Sequence, residues 1–94
     1  MSLADELWTL LEGQRGTATR IEERHYRFTP NDNVCTVDIT FDNEVIRISG
    51  RSNDFDDEVS VSIRNPKERL IERFDLALNA VLIPMRDLHN LMDL

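Results

Sequence analysis

Cys35 and His25 are the pair in this chain whose types could support nucleophilic catalysis, a thiolate activated by an imidazole base. Their placement argues against it. If a strand carrying Tyr26 and Phe28 pairs with the one that follows, Phe28 beside Cys35, the even-numbered residues join the apolar face and His25 points away. A lone cysteine among apolar neighbours then reads as a core residue. The acidic stretch Asn53-Asp54-Phe55-Asp56-Asp57-Glu58 offers oxygen donors for calcium. It lacks the glycine and the closing glutamate that an EF-hand loop places at fixed positions, so it reads as a solvated connection. His89 has no His or Cys partner at zinc-ligand spacing. No metal, cofactor or catalytic residue is expected.

Gly13-Gln14-Arg15-Gly16 matches the G-x-x-G with which KH domains clamp a nucleic-acid backbone, a match of four loosely defined residues. Charge opposes that reading. Eighteen acids against eleven bases leave the chain at −7, and the bases are interleaved with acids: Arg20, Arg24 and Arg27 with Glu22 and Glu23, Arg69 and Arg73 with Glu68 and Glu72. Such a surface repels phosphate. Direct nucleic-acid binding is disfavoured, a basic protein partner is allowed, and Gly13 is read as a helix stop. There is no nucleophile elbow, no phosphate-binding glycine loop with its lysine, and no dinucleotide fingerprint.

The elements that must position these residues are legible from periodicity. Ser2 can cap a first helix, with Asp5 three residues on, and Leu3, Leu7, Leu10 and Leu11 form its apolar stripe. Thr17 to Thr29 fits a helix or a strand; the aromatics Tyr26 and Phe28 ahead of the turn cluster Pro30-Asn31-Asp32-Asn33 favour one strand over about Ile21 to Thr29. Val34 to Arg51 reads as a β-hairpin, with Cys35, Val37, Ile39 and Phe41 alternating against polar residues and Asp42-Asn43 as its two-residue turn. That turn pairs Phe41 with Glu44, Ile39 with Ile46, Val37 with Ile48 and Cys35 with Gly50, and sets Asp38 opposite Arg47. Val59, Val61 and Ile63 make a further strand. Asn65 caps a helix with Pro66 at its first position, through Leu70, Phe74, Ala77 and Val81; Pro84 should end or kink it before a last segment carrying Leu88, Leu91 and Met92.

The expected fold is a single α+β domain over 1–94, α-β-β-β-β-α(-α), a mostly antiparallel sheet with helices on one face. The other face would carry Thr36, Asp38, Thr40, Arg47 and Ser49, with Ser60 and Ser62, and stand in water. A composition of 40% hydrophobic and 31% charged residues is that of a globular domain. With one cysteine, no basic or apolar leader in Met1 to Glu6, and no apolar run of the roughly 18 residues a membrane span needs, a cytoplasmic location away from membranes is expected.

The apolar residues of the last helix exceed what one sheet face requires. Ile71, Leu78, Leu82 and Met85, continued by Leu88 and Met92, lie about 100° round from the core stripe and are expected to be either core or the interface of a homodimer. The helix–sheet–helix order, acidity and small size are similar to those of secretion chaperones and other small acidic adaptors, a likeness of architecture alone. The expectation is a non-catalytic protein-binding module, dimeric through its C-terminal helix. One alternative is an acidic inhibitor or immunity-type protein that occupies the basic site of a nuclease or nucleic-acid-binding enzyme. Another is a small enzyme or ligand-binding domain with a pocket at Tyr26, His25 or Cys35.

Overall fold

Seven elements follow one another: α1 (Leu3–Glu12), β1 (Gly16–Glu22), β2 (His25–Pro30), β3 (Thr36–Phe41), β4 (Val45–Arg51), β5 (Asp56–Ser62) and α2 (Lys67–Met92). They belong to a computed structural model that describes residues 3–53, 55–64 and 66–92, with the side chains of all but 67, 89, 90 and 92. The strands form one antiparallel meander in the order β1-β2-β3-β4-β5. α2 lies mainly against β4 and β5, while α1 packs beside β1 and against α2. This is the α+β, helix-flanked sheet that the periodicity predicts. The proposed caps Ser2 and Asn65 lie outside the described residues.

The sheet has five strands where four were expected, because the segment before Pro30 folds back on itself. β1 and β2 pair from Gly16–Pro30 to Glu22–His25, joined by Glu23 and Arg24, with an irregularity between Arg20 and Glu22 that places an extra residue, Ile21, on β1. A bulge of this kind increases the local twist. Neither Glu23 nor Arg24 is a residue that marks turns, so this hairpin is silent in the sequence.

The central hairpin forms, but two residues out of the expected register. Phe41 pairs with Ile46, Ile39 with Ile48, Val37 with Gly50, Thr40 with Arg47 and Asp38 with Ser49. Asp42 is the cause. Its Oδ1 accepts the N–H groups of Glu44 (2.7 Å) and Val45 (2.9 Å), and its own N–H donates to the Val45 carbonyl (3.1 Å). Asp42 therefore opens the turn, and Asn43-Glu44 rather than Asp42-Asn43 are its central residues. Because a strand alternates with period two, a two-residue shift leaves every side chain on its expected face. β2 and β3 are displaced the same way, Phe28 pairing with Val37 and Tyr26 with Ile39.

The core is built from the inner face of the sheet and both helices. Tyr26, Phe28, Val37, Ile39, Ile46, Ile48 and Val61 meet Leu7 and Leu11 of α1 and Leu70, Phe74, Ala77, Leu78, Val81, Leu82 and Met85 of α2. Gly50 is needed for the closest approach of these layers, since a methyl group there would overlap Val81. Of the two outcomes expected at Pro84, an end or a kink, the end does not occur: α2 runs through it from Lys67 to Met92. Proline removes the N–H that would reach the Ala80 carbonyl, and Ala80, Ile83 and Pro84 are all exposed, so water can take that carbonyl. At about 1.5 Å per residue α2 is roughly 39 Å long, which sets the 44 Å long axis of the molecule. Its last turns project, with Leu88 half-buried and Leu91 exposed.

Candidate functional site

The outer face of the sheet carries the residues expected there, with Thr36, Asp38, Thr40 and Ser49 half-buried and Arg47 exposed. Asp38 is its electrostatic centre. His25 Nε2 donates to Asp38 Oδ1 at 2.8 Å and Arg27 Nε to the same oxygen at 3.1 Å. Burial alone would push the Asp38 carboxyl up, but the hydrogen bonds from His25 and Arg27 outweigh it and hold the group below the ordinary carboxylate range. Arg47 does not face Asp38; it lies across from Thr40 and reaches Asp42 at 3.5 Å. Ser49 donates to Glu58 Oε1 at 3.2 Å. Asp38 and Asp42 are matched by basic partners while, among the described residues, the Glu58 carboxylate is held only by the Ser49 hydroxyl, an arrangement that suits a solvated surface or a polar contact better than a reaction centre.

The nucleophile–base pair is not assembled. Cys35 is buried and His25 lies on the opposite side of the sheet, its ring committed to Asp38. Burial raises the Cys35 thiol's pKa, the Asp32 carboxylate adds to the rise, and Arg86 opposes it, the reverse of what activates a cysteine. Tyr26 is also buried, its ring edge-on to both Trp8 and Phe41 with centroids 5.4 and 5.5 Å away. The Arg20 guanidinium covers Trp8 at 4.8 Å, closing that end of the core with a cation–π contact. Tyr26, His25 and Cys35 thus line no common pocket.

Gly13-Gln14-Arg15-Gly16 joins α1 to β1 and not one helix to another, so the KH-like geometry is absent. Gly13 donates to the carbonyls of Thr9 and Leu10, as a helix stop does. A side chain on Gly16 would collide with Phe28. The same loop borders a cleft of about 330 Å³ with Phe28, Pro30, Asn79, Leu82 and Arg86. Arg86 there is held by Asp32 at 2.7 Å, and Arg15 is the second cation of the lining. In the acidic loop Asp54 lies outside the described residues. Asp56, Asp57 and Glu58 begin β5 instead of converging, and no metal-binding cluster occurs among the described residues.

The second stripe of α2 resolves as core. Leu78, Leu82 and Met85 are buried within this chain, which removes them as interface residues. Ile71 and Leu88 sit half-buried at the rim, and the Met92 side chain lies outside the described residues. On α2 the described apolar side chains left in water are Leu76 (62% exposed), Ile83 (54%) and Leu91 (65%), with Ala80 exposed between them; elsewhere Ile21, on the β1 irregularity, is also exposed. The four on α2 share one stripe turned away from the sheet, flanked by exposed Arg69, Arg73 and Asp87. Periodicity alone missed this stripe because almost every residue from Leu76 to Met85 is apolar. The seven-residue spacing of Leu76 and Ile83 was the available signal.

Compared with known proteins, the chain matches no family model, no curated protein and no solved structure. No helix among the described residues is long and apolar enough to cross a membrane.

Proposed function

We propose that this protein is a non-catalytic protein-binding module, adaptor-like or chaperone-like, that associates through the outer face of α2. One observation carries the reading. With the inner face of α2 satisfied by the sheet, Leu76, Ile83 and Leu91 still stand more than half exposed in a single line. Scattered apolar residues on a surface need no explanation, but a contiguous stripe on the longest element of a small domain favours an interaction site. The open sheet face around Asp38 would supply a second, polar contact. The state of His25 and Cys35 supports the absence of catalysis, since one is held by a carboxylate and the other is buried with its pKa raised. Methyl NMR over a concentration series tests the reading. The Leu76, Ile83 and Leu91 signals should respond to raised concentration or to an added amphipathic helical peptide while those of Leu78 and Val81 stay fixed; spectra that respond to neither would refute it.

The acidic-inhibitor reading has an observation of its own. Asp56, Asp57 and Glu58 are all exposed along β5, an edge strand, where they also guard the edge against aggregation. Occupation of a basic site by these carboxylates would weaken steeply with salt, whereas association through the α2 stripe would not. Salt dependence of binding separates the two.

A further inference from the structure

We propose that the partner of α2 is α2 of a second copy, docked antiparallel and crossing at Ala80. This rests on the reading of the outer α2 face as an interaction surface and adds its occupant and register. Along that face the order is Arg69, Glu72, Arg73, Leu76, Ala80, Ile83, Asp87, Leu91, with two arginines against one glutamate at its first end, an apolar middle and an acid beyond it. A parallel pair would set Arg73 against Arg73 and Asp87 against Asp87. An antiparallel pair about Ala80 does the opposite. Arg73 stands seven residues before Ala80 and Asp87 seven after, so the two face each other across the two-fold axis, and symmetry makes the contact twice.

The apolar residues obey the same centre. Leu76, four residues before Ala80, meets Ile83 and Pro84 of the other copy, three and four after it. Arg69 and Leu91 are each eleven residues from Ala80, which lets the aliphatic stem of Arg69 lie over an otherwise exposed leucine. Ala80 is the smallest side chain of the stripe and marks its midpoint. Arg73 and Asp87 are both exposed, and neither has an ion-pair partner among the described residues of its own chain, so both are available for a contact between copies.

Sedimentation equilibrium on the full chain and on R73D, D87R and R73D/D87R decides the matter, with circular dichroism confirming the fold of each. R73D places a carboxylate against Asp87 at both ends of the contact, and D87R a guanidinium against Arg73. Each single variant should weaken the dimer about tenfold, and the double variant should return it to within about threefold of the native chain. A native dimer that the double variant fails to restore would overturn this register while leaving the α2 face intact as an interface. A native chain that stays monomeric would overturn the second copy as occupant, and a dimer indifferent to I83E would overturn the face itself.

Discussion

Asp38 and Cys35 are the two residues whose environment makes a measurable claim about chemistry. Asp38 is held below the ordinary carboxylate range by His25 and Arg27 against the opposing effect of burial. A depressed carboxyl contributes stability that is present above its unfolded value, about 3.9, and is lost as pH falls through its folded value. Asp38→Asn should therefore cost about 1 kcal/mol near neutral pH. Urea denaturation of both proteins across a pH series should show the gap closing below about pH 4; a gap independent of pH would mean that the charge of Asp38 is irrelevant. Cys35, buried with a raised pKa, should react with a thiol reagent far more slowly in the native protein than in urea. Its place in the core follows from alternation in the sequence. The bond from His25 to Asp38 does not, because His25 lies opposite Thr40, diagonal to Asp38, and a diagonal contact depends on strand twist that no pattern of residue types encodes.

Among the elements, faces were legible and registers were not. The alternation of Val37, Ile39, Ile46 and Ile48 sorts the sheet into a buried and a wet side, and a two-residue slip leaves that sorting untouched. The slip itself came from a single side chain, Asp42, which can open a turn as readily as occupy its centre. The β1–β2 hairpin escaped notice because Glu23 and Arg24 carry no turn preference. Pro84 is expected to end or kink α2, and the helix continues through it where the carbonyl it frees faces water in the single chain. Gly50 shows the same dependence on packing, for in the sequence it is only a residue at the end of a strand. In the fold it lies under Val81, a β-branched helical side chain with little rotamer freedom. Gly50→Ala should lower stability by about 1–3 kcal/mol, read as a fall in the urea midpoint. An unchanged midpoint would mean that α2 can lift from β4 without cost.

For the whole molecule, the question left by the sequence was whether the apolar surplus of α2 is core or interface. It divides by helical angle into a buried part and an exposed one. Leu78, Leu82 and Met85 complete the core, while Leu76, Ala80, Ile83 and Leu91 face outward. The core stripe Leu70, Phe74, Ala77 and Val81 was legible, but in a run apolar nearly all round the seven-residue spacing of Leu76 and Ile83 is a weak signal of a separate outer stripe. It becomes visible only once the sheet selects the inner side. The central claim is that the outer stripe mediates association, and sedimentation equilibrium on the native chain and on L76E/I83E tests it most directly. Both substitutions lie at exposed positions, so the variant should keep the native circular dichroism and thermal midpoint of the monomer. The native chain should show a concentration-dependent monomer–dimer equilibrium, and the variant should remain monomeric throughout. A native chain that is monomeric at the highest attainable concentration, or a variant that still dimerises with native affinity, would contradict the account.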